Sequence, residues 1–253
     1  MRIATWNVNS VRARIERLES WIVATAPDVL FLQETKVADA GFPAPRLADL
    51  GYESAHYGHG QWNGVAILSR VGLRDVERGL SDGEARLISA TCGPLRCTSC
   101  YVPNGRALDD PHYEAKLRWL EELRARRGVR DTALPEVVGG DFNVAPSDLD
   151  CWDPAAFVEA THVSAPEREA VRALEETGLT DAWRHLHPDA PGYSWWDYRA
   201  GAFHLDRGLR IDLLLVEDDL VPRLREATVD RDARRGPRPS DHAPVWVDIE
   251  LES

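Results

Sequence analysis

The stretch VVGGDFNVAP, Val137 to Pro146, drives an apolar strand into a carboxylate, Asp141, and a carboxamide, Asn143, before Pro146 stops it. Other strand-like runs end in the same way. TWNVN presents Asn7, LFLQE closes on Glu34, and SCYVPN carries Tyr101 and Asn104. RIDLLLV holds Asp212 inside an otherwise apolar run, and PSDHAPV sets Asp241 and His242 just before a last strand. Taken singly, each has an ordinary reading: Asn7 a loop hydrogen bonder, Glu34 a surface acid, Tyr101 a core tyrosine, Asp241-His242 a turn cap. Asp212 is harder to dismiss, because a carboxylate buried in a strand demands a partner such as an imidazole or a cation. Together the set brings acids, an imidazole and amide donors to strand ends, where loops converge on one rim.

The residue types narrow the chemistry. There is no strong Cys/His zinc spacing, no G-x-S-x-G elbow and no G-x-x-x-x-G-K-[ST] loop. Hard oxygen ligands such as Glu34 favour Mg²⁺, with Mn²⁺ as a substitute. A hard cation with His, Tyr and Asn donors suits a phosphoryl group: the donors stabilise developing charge while an aspartate positions or deprotonates water.

These residues need elements to hold them. Short apolar strands recur as RIATWNV, DVLFLQE, GVAILSR, RLISATC, RCTSCYV, EVVGGDF, RIDLLLV and APVWVDIEL. Helical spacing appears between them. Val11, Ile15, Leu18 and Ile22 follow Ser10, and Pro27 ends the run. Asp110 and Pro111 open a helix with a Tyr113, Leu117, Leu120 stripe that stops at Gly128. Ser164 and Glu167 form a capping box ahead of Val171 and Leu174, with Gly178 as the stop. The pattern predicts an α/β protein built as one domain over residues 1–253, with mixed sheets and enough strands for two packed sheets.

Composition sets the bounds. At 253 residues, 43% hydrophobic and 28% charged, the chain reads as globular, and no apolar run approaches the roughly 20 residues that span a bilayer. No signal-peptide core precedes the first strand, so a cytoplasmic protein without a membrane partner is expected. The net charge of -12 argues against nucleic acid, but acids gathered around a cation inflate the acid count, and a phosphate senses only the local face. Lysine occurs twice, leaving 28 of the 30 basic residues as arginine. In the loop RDARRGPRP, Arg231, Arg234, Arg235 and Arg238 are read as phosphate contacts. Cys92, Cys97 and Cys100 fall at a C-x4-C-x2-C iron–sulfur spacing, with Cys151 as a conceivable fourth ligand. They are read instead as small buried residues of a hairpin around Gly93-Pro94.

TWNVNS, FLQETK, NGVAILS, YVPNG, GGDFNVAPSDLD, YSWWDYRAGAFHLDRGLRIDLLL and PSDHAPV resemble the motif set of the exonuclease III / abasic-site endonuclease family, within the endonuclease–exonuclease–phosphatase superfamily. The match runs in order from residue 2 to about residue 249. GDFN and SDH mark the superfamily, whereas LQETK and WDYR…GLRIDLLL select the DNA-repair branch. The resemblance implies a four-layer α/β sandwich. It implies Glu34 as main Mg²⁺ ligand with Asn7 beside it and Asp241 contributing. Asp141 would activate water, Asn143 would bond the water or phosphate, and His242, oriented by Asp212, would contact the scissile phosphate. Tyr101 and Asn104 would contact it too, with Arg106 among the substrate-binding residues. Trp195, Leu209 and Ile211 match a pocket for an extruded baseless sugar, though they also read as core. Asn9 fits the exonuclease III branch, where another branch has an acid.

The expectation is a Mg²⁺-dependent DNA-repair nuclease: it would cut DNA 5′ to abasic sites, with 3′→5′ exonuclease and 3′-phosphatase activity from the same centre. Its expected partner is double-stranded DNA with abasic sites or blocked 3′ ends, and it is expected to be a monomer. Two other readings stand beside it. A phosphodiesterase of lipid or inositol phosphates keeps the chemistry and fits the acidic charge; a silent damage-binding module abandons the chemistry.

Overall fold

The computed structural model describes residues 1–128 and 133–251. The first sheet is built from β1 (Arg2–Asn7), β2 (Val29–Gln33), β3 (Glu53–Tyr57), β4 (Val65–Ser69) and, from the far end of the chain, β11 (Leu224–Val229) and β12 (Val245–Ile249). The second contains β5 (Arg74–Arg78), β6 (Leu87–Cys92), β7 (Leu95–Tyr101), β8 (Glu136–Asp141), β9 (Leu179–Asp181) and β10 (Asp212–Glu217). Their orders are β11-β12-β1-β2-β4-β3 and β5-β6-β7-β8-β10-β9. Each sheet is therefore mixed in the same way: one central parallel pair, β1 with β2 and β7 with β8, flanked by antiparallel neighbours.

Alternation along the strands divides the apolar residues between layers. Ile3, Phe31, Ile67 and Val247 of the first sheet face Val137, Leu214 and Val216 of the second, forming the core between the sheets. The intervening residues Ala4, Leu30, Leu32 and Leu68 turn outward onto Leu18, Trp21 and Ile22 of α1 (Val11–Thr25). On the opposite outer face, Val138, Leu213 and Leu215 meet Trp119, Leu120 and Leu123 of α3 (Pro111–Gly128), with Val171 and Leu174 of α4 (Ala165–Glu175). Two short helices, α2 (Ala44–Ala48) and α5 (Ala182–Leu186), complete the α-helices among the described residues. The result is the four-layer α/β sandwich expected from the motifs. Strands covered on both faces read as continuous apolar runs, which is why eight were visible in the sequence. No described helix is long and apolar enough to cross a membrane.

Two sequence readings need correction, and the reading of the cysteines as buried hairpin residues is borne out. The stripe on α3 is displaced: Leu117 is half-buried, whereas Lys116 is fully buried against Glu167 of α4. Three of the four loop arginines already have partners within the chain, while Arg238 is exposed. Arg231 donates to the Phe203 carbonyl at 2.7 Å, Arg234 is buried and donates to the Trp196 carbonyl at 3.0 Å, and Arg235 pairs with Asp232 at 2.9 Å. The cysteine-cluster alternative fails on parity. Cys97 and Cys100 lie an odd number of residues apart on β7, so one enters the inter-sheet core and the other the outer core under α3. Four strands, β3, β5, β9 and β11, escaped notice because they are short or carry exposed polar residues.

The close approach of β7 to β8 fixes one residue type. A Cβ on Gly140 would lie 1.8 Å from the Cys100 carbonyl oxygen, and neither backbone can retreat without breaking the parallel ladder. Gly140→Ala is expected to lower the unfolding free energy by about 3 kcal/mol, at the upper end of overpacking costs, as read by urea denaturation.

Candidate active site

Strand register places the reactive groups. Tyr101 of β7 pairs with Asp141 of β8, and Asp141 pairs with Asp212 of β10, so three polar side chains stand level at one rim. From the first sheet, Asn7 ends β1 opposite Gln33, and Glu34 follows immediately after β2. Asn7, Glu34, Tyr101 and Asp141 thus come from the carboxyl ends of the two parallel pairs, the position where open α/β sheets gather ligands. Glu34 and Asn143 achieve their directions with left-handed backbone, φ 50° and 52°.

The hydrogen bonds connect the sheets. The Asn7 amide nitrogen donates to Glu34 Oε1 at 2.8 Å and to Asp141 Oδ2 at 2.9 Å. The other oxygen of Asp141 accepts the Asn143 backbone N–H at 2.9 Å. Asn143 Nδ2 donates to the Val102 carbonyl, and its oxygen accepts from Asn104 at 3.1 Å. His242 Nδ1 donates to Asp212 Oδ2 at 2.8 Å, and Nε2 faces Asp141 Oδ2 at 3.7 Å.

These neighbours set the protonation states. Burial works against charge on His242, but Asp212 and Asp141 outweigh it and raise its pKa to about 10. Burial raises Asp141 to about 7, with His242 pulling it down and Asp212 pushing it up. Between about pH 7 and about pH 10 these shifts favour a carboxylate at Asp141 facing an imidazolium at His242. Burial, reinforced by the charges of Glu34 and Asp141, raises the Tyr101 hydroxyl well above its usual range, keeping it a proton donor.

Glu34, Asp141 and His242 each bring one ligand-type atom within 4.8 Å of the others. With His242 Nδ1 bonded to Asp212 and its pKa raised, the oxygens of Glu34 and Asp141 are the donors that suit a hard cation. The Lys36 ammonium already lies 2.5 Å from Glu34 Oε2 and 2.7 Å from Asn9 Oδ1, so positive charge is accommodated there. Asn7 turns its nitrogen, not its oxygen, toward the two carboxylates, and its Oδ1 accepts from the Asn9 N–H. Asp241 stands apart: its oxygens accept from Asn9 at 2.9 Å and from Trp195 Nε1 at 3.1 Å.

Trp195 is half-buried, and Leu209 and Ile211 lie fully buried with it, alongside Ala145 and Cys151. The Arg106 side chain is exposed on its loop with Asp110 at 4.0 Å, and its backbone N–H joins the network by donating to Asn104 Oδ1 at 3.1 Å.

Sequence reasoning missed three contributors. Ser194 donates to Asp212 Oδ2 at 2.6 Å and accepts from the N–H groups of Ile211 and Asp212. Lys116 donates to the Asn143 carbonyl at 2.6 Å, supporting the turn after β8. His162 donates from Nδ1 to that same carbonyl, also at 2.6 Å, while its ring lies 6.5 Å from that of Trp195. Burial, then the Lys116 charge, lowers its pKa to about 4. Only Lys116 had a usable signal, as one of two lysines in the chain.

The Endonuclease/Exonuclease/phosphatase family matches residues 4–242. Exodeoxyribonuclease III of Haemophilus influenzae is 34% identical over 98% of this chain and 100% of its own. Among solved structures, the 3′-5′ exonuclease (NExo) from Neisseria meningitidis superposes with a TM-score of 0.96 at 39% identity, covering 99% and 100% of the two chains. An AP endonuclease from Archaeoglobus fulgidus gives a TM-score of 0.96 at 34% identity, with coverage of 99% and 100%.

The His242 charge has a measurable signature in the metal-free protein. Its folded pKa lies above the unfolded value of about 6.5, so the stability it contributes is complete below that pH and is lost as pH rises through about 10. The imidazole NMR signals of His242 are expected to stay protonated at pH 8, and Asp212→Asn is expected to lower the midpoint by more than one pH unit.

Proposed function

The chain belongs to the Endonuclease/Exonuclease/phosphatase family, and from that premise we propose that it is a Mg²⁺-dependent DNA-repair nuclease. It cuts double-stranded DNA on the 5′ side of abasic sites and also processes 3′ ends from the same centre. The observation that carries this reading is the convergence of Glu34, Asp141 and His242 at one rim, with His242 Nε2 3.7 Å from Asp141 Oδ2 and the ligand-type atoms of all three within 4.8 Å of one another.

Glu34 and Asp141 would hold the ion, which supplies Lewis-acid stabilisation of charge on the phosphoryl oxygens. The remaining work belongs to the side chains. Asp141 Oδ2 accepts a proton from the attacking water, held in place by the Asn7 amide. Attack forms the new P–O bond and breaks the bond between phosphorus and the 3′ oxygen, which leaves with the bonding pair and takes a proton from solvent, giving a 3′-hydroxyl and a 5′-sugar phosphate. His242 directs its Nε2–H at the phosphate, since Asp212 occupies Nδ1. The Tyr101 hydroxyl and the Asn104 and Asn143 amides add donors around the same space.

Trp195, fixed by Asp241 and backed by Leu209 and Ile211, is the apolar surface against which a baseless sugar would lodge. The His162 ring borders the same surface. The ratio of abasic-site incision to 3′-end removal therefore reports on this pocket.

With an abasic duplex, EDTA is expected to abolish cleavage, and Asp141→Asn to slow it about a thousandfold, within the range for loss of a positioned base. Trp195→Ala is expected to raise KM for the abasic duplex about tenfold, a loss close to 1.4 kcal/mol, with a smaller effect on 3′-phosphate removal. Equal cleavage with and without chelator and in Asp141→Asn, or turnover of an inositol phosphate with DNA untouched, would sink the assignment.

A further inference from the structure

Behind Glu34 lies a second polar chain that the proposed chemistry does not use. Glu34 and Lys36 both have left-handed backbone, φ 50° and 51°, a conformation that residues with a Cβ avoid. Thr35, between them, is fully buried and pinned on three sides. Its N–H donates to the Gly64 carbonyl at 3.1 Å, its carbonyl accepts from Val11 N–H at 3.1 Å, and its hydroxyl lies 2.8 Å from His56 Nε2. A Cβ on Gly64 would fall 2.1 Å from the Thr35 hydroxyl, so the hydroxyl sits directly on backbone and has little freedom to turn elsewhere.

The chain continues outward. His56, on edge strand β3, presents Nδ1 to Asp39 Oδ1 at 2.8 Å, and the same oxygen accepts the Gly58 N–H at 2.8 Å. The Phe42 ring stacks on the imidazole at 4.2 Å and 15°, fixing its plane. An ionised carboxylate can only accept, so Nδ1 carries the proton, Nε2 of the neutral ring is the acceptor, and the Thr35 hydroxyl donates to it. Burial lowers the His56 pKa against the opposing pull of Asp39, in keeping with a neutral ring.

We propose that Asp39, His56 and Thr35 are positioning residues that hold the Glu34 carboxylate in the direction required for cation binding. The relay fixes the side chain of the residue between two left-handed positions, and that residue's peptide groups set where Glu34 points. It does for Glu34 what partners of ligating side chains do at metal sites, where orientation contributes as much as ligand identity. The inference rests on the reading of Glu34 as a cation ligand.

The test measures Mn²⁺ binding directly, by electron paramagnetic resonance of the free ion without DNA, beside thermal unfolding and kcat and KM on an abasic duplex. Thr35→Val and His56→Phe are expected to weaken Mn²⁺ binding about tenfold, the low end for partners of metal ligands, with KM for DNA unchanged. Thr35→Ser keeps the hydroxyl and is expected to stay within about twofold of the parent, and Asp39→Ala, at a partly exposed acid, to give about a threefold loss. If the buried variants fail to fold, Asp39→Ala and Thr35→Ser carry the comparison. Parent-like Mn²⁺ affinity in Thr35→Val, His56→Phe and Asp39→Ala, with binding lost in Glu34→Gln, overturns the relay alone. Undiminished binding in Glu34→Gln overturns the ligand reading, and the relay with it.

Discussion

A buried imidazolium held between two carboxylates is the constraint around which the rest is arranged. His242, which precedes β12 of the first sheet, meets Asp212 and Asp141 of the second. Removing any one of the three would strand charge in a place with little water, a far larger penalty than losing an apolar contact. Asn7 repeats the device, crossing from β1 to Asp141. Ser240 ties it down from below, donating to the Asn7 carbonyl while accepting from the His242 N–H. Polar closure at this rim therefore specifies how the two sheets meet, while the apolar core between them supplies the driving force.

Part of the arginine-rich composition has a structural explanation. Several arginines serve the interior instead of a ligand. Arg210 is fully buried between Asp150 and Asp181, and its pKa is raised by both against the cost of burial. Arg184 joins Asp150, and Arg231 and Arg234 brace the segment that carries Trp196 and Phe203. A planar guanidinium can satisfy several acceptors at once, which an ammonium does less well. Arginine content is thus a poor guide to partners here, because many of the guanidinium groups are matched within the fold.

The sequence was informative wherever chemistry or burial restricts residue type. Asp141, Asp212 and His242 were recognisable because polar residues in strands need a reason, and the eight apolar runs because sheet interiors admit little else. The strands it concealed, such as β5 with its exposed RDVER, lack any such restriction. Ser194, His162 and the buried Lys116–Glu167 pair were hidden for a different reason. Each is defined by a partner far along the chain, and Glu167 already had a sufficient local role as the N3 member of a capping box. Arg231 and Arg234 misled because a basic cluster looks the same in sequence whether it faces solvent or an aromatic ring.

The shared layout of the two sheets has a consequence for how this enzyme ages and fails. Neither half owns a complete set of reacting groups; the set exists only where two similarly wired units abut. A slight slip of one unit against the other would disperse Asn7 and Glu34 from Tyr101 and Asp141 while leaving each unit's own ladders whole. Heat or mild denaturant should then extinguish turnover before circular dichroism registers any loss of strand, so the enzyme's working lifetime is governed by a seam and not by its parts.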